Sequence, residues 1–192
     1  MDALTGILAA FGLSTSAGLN AYLPLLIVGL AARYTHFIHL NAPWDTLENP
    51  IVLAVLAVLL LIETFADKFP AVNHLNDAIQ TLVRPTAGAI LFAASANVIS
   101  DVHPVVALIL GLFAAGTVHA VKSVLLRPAV TATTGGVANP VVSLGEDIVA
   151  ATVSIIAIVL PVLITGVVII VTALIVWLLW RKSNRNQPAP AR

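Results

Sequence analysis

Glu63 and Asp67 stand four residues apart in the stretch Ile51 to Phe69, IVLAVLAVLLLIETFADKF, whose other members are almost all apolar. On a helix this spacing puts both carboxylates on one face, with Thr64 and Lys68 on the neighbouring one. Two carboxylates that close repel each other unless a cation lies between them or one of them takes a proton. The pair therefore suits a cation site or a proton relay. A charge at membrane depth costs several kcal/mol, so such residues are normally paired, turned inward and functional.

Other polar groups could join this pair. His119 and Lys122 are three residues apart in the apolar run Pro104 to Leu126, and Gly145-Glu146-Asp147 precedes another apolar run. The expected site has Glu63, Asp67, Glu146 and Asp147 as ligands and Lys68, His119 and Lys122 as counter-charges. The same residues allow a second reading, in which Lys68 and Lys122 neutralise the carboxylates as interhelical ion pairs that fix the bundle. The sequence is compatible with both readings. His119 taken alone suits a packed polar residue as well as a ligand. His36, His39 and His74 read as surface or interface residues, and His103 belongs to the short turn DVHP. His74 and Asp77 share a helix face but lack a third ligand, so no metal is assigned.

Two interruptions in apolar segments add candidate ligands. Ser14-Thr15-Ser16-Ala17-Gly18-Leu19-Asn20, followed by Pro24, lies within about thirty otherwise apolar residues, and Thr131 to Asn139-Pro140 carries Thr133-Thr134-Gly135-Gly136. Hydroxyl residues, Gly and Asn favour local unwinding because their side chains bond freed backbone groups. Paired interruptions of this kind point to a transporter site, since half-helix ends offer backbone groups to a solute. Ser16, Asn20, Thr134 and Asn139 are the expected ligands there. Close helix packing through small residues explains either interruption equally well.

The elements that must position these groups are membrane helices. The chain has 192 residues, 59% hydrophobic and 9% charged, with mean hydropathy +1.03. Soluble domains carry roughly 25% charged residues, so an integral membrane protein is expected. Zero net charge gives no argument for a nucleic-acid partner, and the lack of cysteine excludes disulfides and thiolate metal sites. The N-terminus MDALTGILAAFGL lacks a basic leader, so it is expected to stay in the mature chain. No GxSxG, HExxH or phosphate-binding glycine loop occurs, so neither an enzyme nor a cofactor is expected.

A span needs about 20 helical residues. Ile51 to Phe69 and Pro104 to Leu126 meet this cleanly. Ile148 to Trp180 runs 33 residues and contains Pro161. It suits either two helices divided at Pro161 or one long, tilted, kinked helix, and loop charge favours two. With six spans and both termini cytoplasmic, Lys68, Arg84, Lys122, Arg127, Arg181, Lys182, Arg185 and Arg192 lie on or near the inner side, and only Arg33 lies outside. Ala71 to Arg84 has apolar residues at helical spacing opposite a polar face, as in an amphipathic helix lying on the inner surface. The expected fold is all-α: a polytopic bundle of about six spans over residues 1–181, with broken first and fifth helices, and a basic, disordered cytoplasmic tail over 182–192. Arg84-Pro85 and Arg127-Pro128, with FADK and HAVK upstream, hint at two diverged halves.

GLSTSAGLNAYLPLL, ETFADKFP with VRPTAGA, and LLRP with TTGGVANPVVSLGED resemble the small bacterial membrane proteins grouped as domain of unknown function family 4126. The resemblance covers roughly residues 5 to 160. It implies a bacterial inner-membrane protein and transfers no functional residue. ETFADK is also similar to the Glu-x-Gly-Asp-Lys-Thr motif of cation/proton exchangers of the manganese and calcium type, but Phe69 replaces the hydroxyl and no cation follows. The expected function is a small transporter or channel-like permease, cation- or proton-linked, with the lipid bilayer and a small solute or ion as partners. The alternative is a non-transporting scaffold or subunit with structural ion pairs. The small size of the bundle leaves a homo-oligomer open.

Overall fold

A computed structural model describes residues 3–66, 70–96 and 102–185. Among them the chain is helical, with no strand. The helices are α1 (Ala3–Leu19), α2 (Tyr22–Tyr34), α3 (Pro50–Ala66), α4 (Pro70–Ala96), α5 (Pro104–Val121), α6 (Arg127–Thr134) and α7 (Asn139–Arg185). A 3-10 turn, Trp44–Glu48, precedes α3, and one wide π-type turn, Lys122–Leu126, carries α5 directly into α6.

Local chemistry sets several of these boundaries. Pro50 sits in the first turn of α3, where no N–H donor is needed, and Asn49 Oδ1 accepts the Ile51 N–H at 2.9 Å. Pro104 opens α5 in the same way, after the His103 ring accepts the Val105 N–H at 3.3 Å. At the end of α6, Gly135 takes the left-handed conformation (φ +63°) that stops a helix and that a Cβ disfavours.

At the centre of the bundle α4 and α5 pack directly on each other, α1 lies against both, and α7 runs along α1. Small residues allow this approach. A Cβ on Gly111 would fall 2.6 Å from Phe92 Cβ, and one on Gly18 would fall 2.7 Å from Val118 Cβ. Ala10, Ala17, Ala21, Leu91 and Ala115 are completely buried around these contacts. Ser14 Oγ donates to the Gly111 carbonyl at 2.8 Å and so ties α1 to α5 through the same gap.

Polarity is arranged inside out. Ser14, Ser16, Asn20, Glu63, Gln80, Arg84, His119, Lys122 and Glu146 are buried, whereas Leu61, Ile62, Phe65, Phe113, Ile148, Ile155 and Ile156 are exposed. A chain surrounded by water does the reverse. Two helical stretches, Pro104–Thr134 and Asn139–Leu160, are long and apolar enough to cross a membrane. Both features are compatible with a lipid-facing protein.

Three sequence expectations need revision. The interfacial helix over residues 71–84 is not a separate element, because α4 continues through Pro85 to Ala96. Its polar residues Gln80 and Arg84 are buried, and its apolar residues Ile79 and Leu82 are exposed. Arg84 finds its partner, Glu63, inside the bundle rather than in water. The preferred division of Ile148 to Trp180 at Pro161 does not occur either. α7 is one helix of 47 residues, about 70 Å long at 1.5 Å per residue. Finally, only residues 20–21 interrupt the first segment, while Ser14 and Ser16 stay helical. The expected fifth-segment break is present as the turn between α6 and α7. Because α7 continues to Arg185, residues 182–185 are helical, and the rest of the expected tail lies outside the described residues.

The packing makes one pair of substitutions diagnostic. A Cβ at position 88 would lie 2.9 Å from Ser14 Oγ and 3.0 Å from the Gly111 carbonyl, whereas one at 116 would find only Pro85, at 3.7 Å and beyond. Gly88→Ala is expected to destabilise by about 1–3 kcal/mol through overpacking. Gly116→Ala should leave stability unchanged or raise it by up to about 1 kcal/mol. Thermal unfolding of the two variants in the same detergent checks the contrast, and equal effects would contradict the packing.

Candidate functional site

The site begins with the peptide units freed where α1 stops. The Leu19 carbonyl has no helical donor ahead of it, and the Lys122 ammonium donates to it at 2.9 Å. A cation at a helix C-terminus also meets the negative end of the helix dipole. On the far side of the break, Asn20 Oδ1 accepts the N–H groups of Tyr22 (3.0 Å) and Leu23 (2.9 Å), capping α2. The other end of the same amide donates to Asp147 Oδ1 at 2.8 Å. A single side chain thus starts one helix and binds a carboxylate on another.

Lys122 is 2% exposed and pairs with Glu146 at 2.5 Å. Arg127 approaches the same carboxylate at 3.7 Å. The π-type turn makes this convergence possible. Residues five apart on an α-helix point about 140° away from each other, but here the Arg127 N–H bonds the Lys122 carbonyl five residues back. The wider turn brings both cations to the side of α7.

A second arm of the network joins α3, α4 and α5. Arg84 Nη2 donates to Glu63 Oε1 at 2.8 Å, with the two side chains 1% and 3% exposed. Arg84 Nη1 lies 3.2 Å from His119 Nδ1, and His119 Nε2 lies 3.2 Å from Thr81 Oγ1. Gln80, one turn before Arg84, is buried against the Tyr22 hydroxyl. Arg84 and Lys122 lie within Coulombic range of each other, so the two arms form one electrostatic unit. Its described side chains hold three carboxylates (Glu63, Glu146, Asp147) and three cations (Arg84, Lys122, Arg127).

The expected site residues fall into distinct groups. Glu63, Asn20, His119, Lys122, Glu146 and Asp147 are gathered in this network. Glu63, however, pairs with Arg84 rather than with Lys122. Asp67 and Lys68 lie outside the described residues. Ser16 is buried between α1 and α7, donating to the Leu13 carbonyl at 2.7 Å and sharing a hydrogen bond of 2.9 Å with Ser154. Thr134 and Asn139 are not drawn into the network. The Thr134 hydroxyl goes to its own helix at Val130 O (2.7 Å), and Asn139 exchanges hydrogen bonds with Thr131 at the α6–α7 turn.

Arg84, Gln80, Tyr22 and Arg127 were missed as site residues. The signal was present in the repeated Arg-Pro pairs. Each of these arginines is buried against a carboxylate, Arg84 on Glu63 and Arg127 near Glu146. Among the described residues no group of three or more His, Asp or Glu is placed to hold a metal ion.

No curated protein and no solved structure matches the chain. The model of the family described as Domain of unknown function (DUF4126) matches residues 7–181. The matched span includes both arms of the network, the break at Asn20 and most of α7, and the chain belongs to that family.

Proposed function

We propose that the chain is a small multi-pass membrane protein of permease type, and that the buried network around the α1–α2 break is its cation- or proton-linked site. One observation carries this reading: the discontinuous helix is bonded at both of its ends to ionisable groups from other helices, Lys122 at Leu19 O and Asp147 at Asn20. Permeases use interrupted helices in this way, because a change in the charge or position of such groups can move the half-helices. No chemical transformation is invoked; the charges bind and release. A second reading is favoured by the matching of Glu63 with Arg84 and of Glu146 with Lys122, which suits a scaffold fixed by ion pairs.

A stability-matched variant separates the two readings. Arg84→Met alone leaves Glu63 without its buried cation and is expected to cost about 3–5 kcal/mol. Glu63→Gln with Arg84→Met removes both charges and should recover most of that loss in thermal unfolding. If the network is a transport site, the folded double variant will lose proton or cation flux in reconstituted vesicles. Flux equal to that of the parent would favour the scaffold.

The proposed setting is the inner membrane of a bacterium, with six spans and both termini cytoplasmic. α7 is too long for one crossing, since about 30 Å of hydrocarbon needs about 20 residues, and its apolar run continues past Pro161 to Trp180. Proline removes the bond to the carbonyl four residues back, so Pro161 is where the helix would bend in a bilayer. Arg181 lies over the Trp177 ring at 5.3 Å, an arrangement suited to an inner interface. Reporter fusions at Asn41 and Ala71 should report opposite sides, while fusions at Val137 and after Arg185 should report the same side. Opposite sides for the last two would mean a single crossing by α7.

A further inference from the structure

The Arg84–His119 contact fixes the chemical state of the imidazole. A guanidinium carries five N–H donors and no acceptor, and it keeps its charge in proteins. Arg84 Nη1 lies 3.2 Å from His119 Nδ1, so Nδ1 supplies the lone pair. The ring proton is therefore on Nε2, 3.2 Å from Thr81 Oγ1, where it can be donated to the hydroxyl. His119 is thus a neutral Nε2–H imidazole in this arrangement, acting as an acceptor toward Arg84 and not as the counter-charge that the sequence suggested.

An incoming proton has one basic position to take on this ring, and Arg84 occupies it. The proton and the guanidinium are mutually exclusive at Nδ1. Among the described residues, these polar and charged groups lie on the ring or near it. From α4 come Arg84, Thr81 and, one turn away, Gln80; from α3 comes Glu63, held at 2.8 Å by the other arm of Arg84. α2 brings the Tyr22 hydroxyl beside Gln80. On α5 itself, Lys122 follows one turn later, held by Glu146 and the Leu19 carbonyl. Arg84 and Lys122 oppose a second cation here, and Glu63 favours it. Both His119 and Arg84 are buried, at 3% and 1% exposure, so neither can simply swing into bulk solvent.

We infer that His119 Nδ1 is a proton-binding site whose occupancy displaces Arg84 and thereby loosens the Glu63 pair. The step balances simply: one proton from solvent adds to the Nδ1 lone pair, the Arg84 N–H gives up that acceptor, and the network gains one positive charge. This inference rests on the reading of the network as a functional site and names the proton as the ion that it responds to.

The test is a pH titration of the full chain in lipid nanodiscs, labelled with 15N-histidine and 15N-arginine and followed by NMR. His119 can be assigned by loss of its signal in His119→Gln. If that variant does not fold, replacing the exposed His36, His39 and His103 leaves only His74 to be distinguished. At pH 8 the expected His119 spectrum is a bare Nδ1 with a protonated Nε2. On acidification both nitrogens should become protonated while the Arg84 side-chain signals shift over the same pH range, and that Arg84 shift should be lost in His119→Gln. An Nδ1–H tautomer at pH 8, or titration of His119 that leaves Arg84 unmoved, overturns the inference. Vesicle flux is measured separately: coupled titration without flux supports the proton site and removes the permease, whereas flux without coupled titration removes the proton site alone.

Discussion

The ammonium of Lys122 touches the end of one helix and the carboxylate of another, and the described bundle is organised around that contact. α1 stops at Leu19, and its last carbonyls need donors. The Leu19 carbonyl receives its donor from α5, the Lys122 ammonium at 2.9 Å. A buried cation is itself costly without a partner, so Glu146 must face it. Glu146 can be reached by Arg127 as well only because α5 widens into a π-type turn at Lys122. Break, lysine, glutamate and wide turn are thus linked by contacts between opposite polarities: a helix end with a cation, and that cation with a carboxylate.

The second arm obeys the same rule with different residues. Glu63 could not remain alone on α3, and Arg84 reaches it from the middle of α4. On α4, Gln80 and Arg84 are buried while the apolar Ile79 and Leu82 are exposed, and Pro85 is tolerated without ending the helix. Close contact among α1, α4 and α5 through Gly18, Gly88 and Gly111 then holds the charged groups at hydrogen-bonding distance. The small residues that looked like a rival explanation for the helix interruptions are what let the interruption and its partners meet.

Much of this was legible in the chain. The excess of apolar residues announced helices, the clustering of Ser14 to Asn20 announced a break, and Glu63, Lys122, Glu146 and Asp147 stood out because their types conflict with their neighbours. Gly135-Gly136 marked the turn before α7. Partner choice was not legible. An amphipathic pattern such as residues 71–84 fixes which residues share a side, but not whether that side meets water or other helices, and Arg84 was therefore assigned to the surface. Nor does a proline decide by itself between a kink and a break, as Pro161 within α7 shows.

The sequence by itself determined that this protein is helical and that charges lie within its apolar segments, and it marked Ser14 to Asn20 as a stretch that could interrupt the first one. These follow from composition, periodicity and local backbone preference, all short-range properties. Only the tertiary structure decided that Glu63 belongs to Arg84, that Lys122 caps Leu19, and that the His119 ring accepts a hydrogen bond from a guanidinium. Those pairings join residues 21 to 103 positions apart, and which buried charge meets which depends on how the helices pack, information that no local stretch of the chain contains.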